Sequence, residues 1–225
     1  MIAMKKPEHL DPLAEQVLDK LAGHSESGEI VLGGYFALKH YLDYRSTHDI
    51  DAWWKGRASA QTETAIRQSM SEVASANSLL LQEKKFGETV SFECLRDRRR
   101  VFSFQIALRS VELEPAVLSP WPPILIETLA DNAGAKMNAL VDRGAPRDFV
   151  DIRQLVDSGL LTARRCWELW HAKNPGADPQ LAYDKVRIHL ATLEARRPLA
   201  TIQDGQERRR AEETRNWFRD VFLTA

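Results

Sequence analysis

The stretch that most constrains how this chain can fold runs from residue 30 to residue 54. It begins with three apolar residues, continues through two adjacent glycines into a segment with amphipathic helical spacing, and ends in Asp49-Ile50-Asp51-Ala52-Trp53-Trp54. Alternation of polar and apolar residues is typical of a strand with one buried face. The stretch therefore predicts a strand, a glycine turn, a helix and a second strand, in that order.

Asp49 and Asp51 are expected on the same face of the second strand, because side chains repeat every two residues along a strand. Two neighbouring carboxylates repel each other, and are retained most easily when both point into water or a cation lies between them. The adjacent glycines, Gly33 and Gly34, would let a phosphate approach the backbone, and a helix N-terminus favours negative charge. The combination predicts a site for a triphosphate and a hard metal ion, which indicates nucleotide transfer.

A second block of residues follows downstream, and the two blocks together resemble one family. Ten residues separate Gly33-Gly34 from Arg45-x-Thr47-x-Asp49-x-Asp51, and the later block reads Lys136-x-x-Ala139-Leu140-x-x-Arg143 and then Arg147-Asp148-x-x-Asp151. This ordered pair resembles the AbiEii/AbiGii toxin family of nucleotidyltransferases, within the polymerase-β-like superfamily. The resemblance spans roughly residues 32 to 155.

The resemblance implies a metal-dependent enzyme that transfers a nucleoside monophosphate from an NTP to an acceptor hydroxyl. It further implies a toxin from a bacterial toxin-antitoxin or phage-defence locus, a cognate antitoxin as partner, and tRNA 3′ ends as the acceptor of some members. Asp49 and Asp51 would hold Mg²⁺ or Mn²⁺, and Lys136 would neutralise the triphosphate. Asp148 would position or activate the acceptor.

The remaining site residues have supporting roles under this interpretation. Arg45, Thr47 and Arg143 are expected to contact the nucleotide together with the two glycines, while Asp151 and Arg147 are expected to support the site. A purely structural alternative stays open for the second block, because acids in a first helical turn are favoured by the helix dipole. Asp148 could also be an ion-pair partner of Arg143.

One position departs from the superfamily pattern. A third carboxylate commonly lies on a later strand, and Gln105 occupies the corresponding place in Phe102-Ser103-Phe104-Gln105-Ile106. An amide cannot neutralise a metal as a carboxylate does. Either Asp148 or Asp151 supplies the third acid, or the metal site is poorer, with Glu93 a weaker substitute. A catalytically weak nucleotide-binding or partner-binding module, or a transferase acting on protein or antibiotic, therefore stays open.

The predicted fold class is α+β, with a small mixed-sheet nucleotidyltransferase core in residues 1–114 and a helical C-terminal part in residues 124–225 that completes the active site. A proline-rich connector, residues 115–123, separates them. Helices are predicted at about 12–22 and 58–77, followed by a meander of strands at 79–86, 89–95 and 101–108. Beyond the connector, helices are predicted at about 125–143, 147–157, 162–172, 179–196 and 204–222.

Charge and composition limit the partners. The formal net charge is -1, so any RNA contact must come from local basic patches. Most arginine clusters are interleaved with acids, which favours solvated helix faces; these clusters are Arg98 to Arg100, Arg164-Arg165, Arg196-Arg197 and Arg208 to Arg210. Two widely separated cysteines favour neither a disulfide framework nor a zinc site. No apolar run approaches membrane-spanning length, so a cytoplasmic protein without membrane contact is predicted.

Overall fold

The computed structural model describes residues 4–7, 9–109 and 111–225. The protein is α+β, as the sequence predicts, and it divides into two compact units, Met1–Asn132 and Ala133–Ala225. The first unit holds the mixed sheet, and the second is helical.

A mixed sheet organises the first unit. Its strands are β1 (Ile30–Gly33), β2 (Asp49–Trp54), β3 (Leu80–Phe86), β4 (Thr89–Arg96), β5 (Arg99–Leu108), β6 (Val117–Leu118) and β7 (Leu125–Ile126), in the order β3-β4-β5-β2-β1-β7-β6. The pairs β2·β5 and β1·β7 are parallel, and the other neighbouring pairs are antiparallel. The predicted meander is confirmed as β3, β4 and β5.

Strand β2 lies in the middle of this sheet with one face in the core. Ile50, Ala52 and Trp54 are almost fully buried, whereas the alternate residues are only partly buried. The core side of the sheet packs against helices α1 (Pro12–Leu21) and α3 (Ala60–Ala76), which contribute Leu18 and Ile66 to one apolar cluster. Alternation along β2 therefore leaves its acidic face available for chemistry.

The helix that follows the glycine turn is shorter than its sequence pattern suggests. Helix α2 covers Gly34–Leu38 and ends in turns before β2. A helix of five residues carries only a small macrodipole, because the dipole is the sum over its peptide units. The turn itself, rather than a long helix behind it, must therefore carry any phosphate contact.

The predicted connector lies within the first unit. Residues 117–118 form β6, and β7 pairs in parallel with β1, so that Val31 lies opposite Leu125 and Leu32 opposite Ile126. The prediction of a helix beginning at about residue 125 is wrong, because these apolar residues add a strand to the sheet before the helix starts at Leu129.

Helices make up the rest of the chain, near the predicted bounds. They are α4 (Leu129–Asp142), α5 (Pro146–Asp157), α6 (Ala163–Lys173), α7 (Pro179–Arg196) and α8 (Gly205–Asp220). Aromatic rings hold the second unit together: Phe149 packs edge-on against Phe218 at a centroid distance of 4.8 Å, and Trp167 stacks on Tyr183 at 3.9 Å. Both cysteines of the chain are free and buried. Within the described ranges, no helix has the length and apolar character to cross a membrane.

Candidate active site

The two acids of β2 lie on the face opposite the core. Asp49 and Asp51 are partly exposed, and the residues that alternate with them are buried. The hydroxyl of Ser103 donates a 2.7 Å hydrogen bond to Oδ1 of Asp49. The predicted sharing of one strand face by the two acids is thus observed, and one of the two carboxylates is fixed by a neighbouring strand.

The glycine turn lies directly against Asp51. Gly33 pairs with Asp51 in the β1·β2 register, and Gly34 adopts φ +59°, a left-handed conformation that glycine accepts readily. A Cβ at Gly34 would lie 2.8 Å from both Cβ and Cγ of Asp51. At Gly33 a Cβ would lie 2.9 Å from Cε2 of Trp53. Both glycines are therefore required by close packing of the turn on side chains of β2.

Arg45 and Thr47 lie beside Asp49. A pocket of about 480 Å³ is lined by Arg45, Ser46, Thr47, His48, Asp49, Arg100, Val101 and Phe102. The guanidinium of Arg45 lies 3.5 Å from the ring centroid of Tyr35, whose hydroxyl donates to the Arg45 carbonyl and accepts from the Arg45 N–H. This anchor holds the loop before β2, so that an arginine and an acid face one pocket.

Thr47 has a local structural contact. The N–H of Asp49 donates to the Thr47 hydroxyl at 3.2 Å, and the hydroxyl lies 3.3 Å from the Asp49 carbonyl. Hydroxyl contacts of this kind stabilise turns. Thr47 therefore supports the start of β2 as well as lining the pocket.

Two residues of β5 beside the acids differ in what the sequence revealed. Ser103 lies opposite Asp49, and Gln105 lies opposite Asp51. The sequence analysis identified Gln105, because it occupies the place of the expected third acid. It missed Ser103, although alternation along the strand puts both side chains on one face. Glu93 lies opposite Ser103 on β4, where it pairs with Lys84 at 2.6 Å.

Among the described residues, no group of three or more His, Cys, Asp or Glu side chains is arranged to hold a metal.

A buried polar network behind the glycine turn was also missed. Asn132 is fully buried and its Nδ2 donates both to the carbonyl of Gly34, at 2.8 Å, and to Oε2 of Glu127, at 2.9 Å. Glu127 is 1 % exposed and follows β7, and Asp131 forms a 2.9 Å ion pair with Arg109. No sequence signal marked these residues, because their proximity to the turn depends on β7 pairing with β1.

Residues of the second block form two ion pairs within the second unit. Nζ of Lys136 lies 2.7 Å from Oδ2 of Asp151, and both side chains are buried. Arg143 holds Asp148 through two hydrogen bonds of 2.9 Å, and the N–H of Ala145 donates to the same carboxylate at 3.0 Å. The structural alternative that Asp148 pairs with Arg143 is therefore observed.

The structure thus brings the predicted residues together in two groups. The first unit joins the glycine turn, Arg45, Thr47 and the two acids. The second unit joins Lys136 with Asp151 and Arg143 with Asp148, while Arg147 is exposed at the start of α5.

A family model for the nucleotidyl transferase AbiEii toxin, of type IV toxin-antitoxin systems, matches residues 16–220. This span contains the sheet with both acids, the glycine turn and the second block. The chain belongs to the AbiEii nucleotidyltransferase toxin family. A search of curated proteins found no match.

Membership of the AbiEii family confirms the predicted family and supports a nucleotidyltransferase toxin of a type IV toxin-antitoxin system. The family implies an NTP substrate and an antitoxin partner. The roles of individual site residues in this AbiEii chain stay predictions.

Proposed function

We propose that this AbiEii protein is a divalent-metal-dependent toxin that transfers a nucleoside monophosphate from an NTP to the 3′ hydroxyl of tRNA, with release of pyrophosphate. Such a toxin would act in the cytoplasm as part of a toxin-antitoxin or phage-defence system. The observation that supports the proposal most is the arrangement of Asp49 and Asp51 on one strand face beside the glycine turn.

The carboxylates of Asp49 and Asp51 suit Mg²⁺ or Mn²⁺. Mg²⁺ is usually held by one or two carboxylates, with substrate phosphates and water completing its coordination. Two acids without a third are therefore an adequate protein contribution. When bound, the ion would supply charge neutralisation on the triphosphate oxygens.

The chain's own residues would then position the reactants. Gly34 permits the left-handed backbone of the turn and the close approach of the Asp51 side chain. Arg45 lines the pocket that contains Asp49. Arginine suits bidentate contact with phosphate. Transfer of this kind depends mainly on positioning and charge stabilisation, which these residues would supply.

The second block receives its proposed roles from the family resemblance and from its ion pairs. Lys136 is proposed to contact the triphosphate, with Asp151 holding its ammonium group. Asp148 is proposed to position or activate the acceptor, and hydrogen bonds from Arg143 and from the N–H of Ala145 hold its carboxylate in place. Arg147 is proposed as a supporting contact.

The test is incubation of purified protein with total tRNA, Mg²⁺ and each radiolabelled NTP in turn. The unaltered protein should label tRNA with at least one nucleotide. Asp49→Asn should reduce labelling by about a hundredfold or more, because metal-assisted charge stabilisation contributes several kcal/mol. Glu88→Gln removes an exposed acid of the same unit and is the matched control.

Each other outcome has a defined meaning. Equal labelling by Asp49→Asn would remove Asp49 from the reaction. Labelling of protein or antibiotic but not of tRNA would replace the proposed acceptor. Nucleotide binding without any transfer would favour the catalytically weak module, an alternative that Gln105 beside Asp51 supports.

A further inference from the structure

The turn between β4 and β5 carries an unusual arginine cluster, residues 96–100, here called the arginine tip. Its sequence is Arg-Asp-Arg-Arg-Arg, and all five residues are exposed. Only Arg100 lines the pocket at Asp49. The other arginines have no part in the reaction proposed above, so their presence needs a separate explanation.

The backbone of the arginine tip adopts a left-handed conformation that arginine does not favour. Asp97 and Arg98 have φ of 50° and 63°, as expected in a two-residue hairpin turn, whose second position usually holds glycine. A bulky residue in the left-handed region is unfavourable, because its Cβ crowds the following carbonyl. Turn formation therefore does not explain arginine at position 98.

Cross-strand pairing in the arginine tip is also unfavourable. Arg96 lies directly opposite Arg99 in the β4·β5 register, and like charges in such a pair repel. Within the described ranges, Arg96, Arg98 and Arg99 form no ion pair, whereas Arg164 and Arg165 both pair with Glu168 at 3.1 Å. Folding stability therefore does not account for Arg96, Arg98 and Arg99.

The arginine tip is continuous with the candidate site. Arg100 lies 3.8 Å from Oδ1 of Asp49, and Asp49 lies opposite Ser103 on β5. A strand rises about 3.3 Å per residue, so the turn at Arg98 lies roughly 17 Å along β5 from Ser103. A chain whose end reaches Asp49 could therefore extend over the tip.

We propose that the arginine tip binds the phosphodiester backbone of a single-stranded nucleic acid whose terminal hydroxyl enters the pocket at Asp49. A guanidinium group can contact two phosphate oxygens at once. The tip offers four such groups and only one acid, Asp97, so it suits a phosphodiester backbone. The tip has no apolar side chain, whereas a stable protein interface needs an apolar centre. This inference rests on the proposed function, because it assumes a nucleic-acid acceptor.

The test is fluorescence anisotropy with a short fluorescein-labelled single-stranded RNA, measured without NTP or metal so that no transfer occurs. The triple variant R96Q/R98Q/R99Q leaves Arg100 in the pocket. Single-strand binding changes by about 0.7 in the slope of log K against log salt for each phosphate contact, so the slope should become shallower by about 2. Affinity at low salt should fall by tenfold or more.

The matched control is R208Q/R209Q/R210Q, which makes the same charge change on α8. This control should keep at least half of the RNA affinity and the original salt slope. Equal losses in the two triple variants, or an unchanged slope in R96Q/R98Q/R99Q, would overturn the proposal. A DNA strand of the same sequence tests whether the tip recognises phosphate alone. In that case R96Q/R98Q/R99Q should lose affinity for RNA and for DNA by the same factor.

A single substitution separates binding from folding. Arg98→Gly should raise the melting temperature, because glycine accepts the left-handed conformation, and should weaken RNA binding. A higher melting temperature with unchanged RNA affinity would overturn the proposal. If tRNA is not labelled but R96Q/R98Q/R99Q still makes the salt slope of RNA binding shallower, only the proposed reaction is rejected. If tRNA is labelled but R96Q/R98Q/R99Q leaves RNA binding unchanged, only the proposed surface is rejected.

Discussion

The carboxylate side chain of Asp51 lies so close to Gly34 that a Cβ on the glycine would come within 2.8 Å of the aspartate Cβ and Cγ. The two residues belong to different elements, the start of α2 and the middle of β2. Because of this contact, Asp51 can keep its position only if residue 34 has no side chain. The glycine turn and the acids are therefore parts of one structure.

Gly34→Ala should damage both this contact and the turn. Alanine at φ +59° is destabilised by about 1–2 kcal/mol, and displacement of Asp51 should abolish most nucleotidyl transfer. Gly87→Ala is a well-matched control, because Gly87 has φ +58° with no atom within 4 Å of its Cβ position. Urea denaturation should show a loss of stability in both variants, and a larger one for Gly34→Ala because its Cβ also meets the Asp51 side chain. The transfer assay should show a loss of activity only for Gly34→Ala. Full activity in Gly34→Ala would contradict the assigned dependence.

Ser103→Ala tests whether the hydrogen bond to Asp49 matters for the reaction. Removing the hydroxyl should lower kcat/KM by about tenfold, since a hydrogen bond to a charged group contributes about 1.5 kcal/mol or more. The free energy of unfolding should change by about 1 kcal/mol or less, because the Asp49 side chain is 37 % exposed and can accept hydrogen bonds from water instead. Ser103→Thr retains a hydroxyl and should recover part of the activity. Equal kcat/KM for Ser103→Ala and the unaltered protein would exclude the role.

Local pattern was sufficient to predict the strand that carries Asp49 and Asp51. The period of two in residues 49–54 identifies both the strand and its exposed face, and the left-handed turn at Gly34 follows from a glycine between a strand and a helix. The meander was equally accessible, because its turns are marked by Gly87 and Asp97. These features depend on neighbours in sequence, which a single chain displays directly.

Pairing between strands that are distant in sequence could not be predicted from local pattern. The sequence pattern predicts a helix that includes Leu125 and Ile126, but these residues form β7 because they pair in parallel with β1. That pairing brings Glu127 and Asn132 to the glycine turn, so the same error concealed the buried network. Ser103 was overlooked for a related reason: only the register of β5 against β2 identifies which residue lies opposite Asp49.

The pair Lys136–Asp151 permits a test that separates stability from catalysis. Lys136→Met and Asp151→Asn should each lower the free energy of unfolding by about 3 kcal/mol, because each removes one side of a buried ion pair. The double variant should be more stable than the sum of the two losses predicts. If Lys136 contacts the triphosphate, the refolded double variant should still fail to transfer nucleotide. Recovery of transfer in the double variant would assign Lys136 a structural role only.

His40 should make stability depend on pH. Its side chain is 1 % exposed and packs against Phe36 and Trp121, and burial lowers its pKa from 6.5 to about 4. Because Nδ1 contacts the Phe36 carbonyl at 2.9 Å, the buried ring is a neutral donor at this nitrogen. A folded pKa below the unfolded one means that the unfolded chain binds the proton more strongly. The associated stability is therefore complete above pH 6.5 and is lost as the pH falls toward 4.

The expected loss is about 3 kcal/mol in the free energy of unfolding, from 1.36 kcal/mol for each unit of pKa difference. Urea denaturation at several pH values between 7 and about 4 measures it. His40→Leu should flatten this part of the profile, since no proton can then bind at the site. His171→Gln, which removes an exposed imidazole, is the control and should retain the slope. An unchanged slope in His40→Leu would show that other groups, such as acids in ion pairs, cause the acid sensitivity.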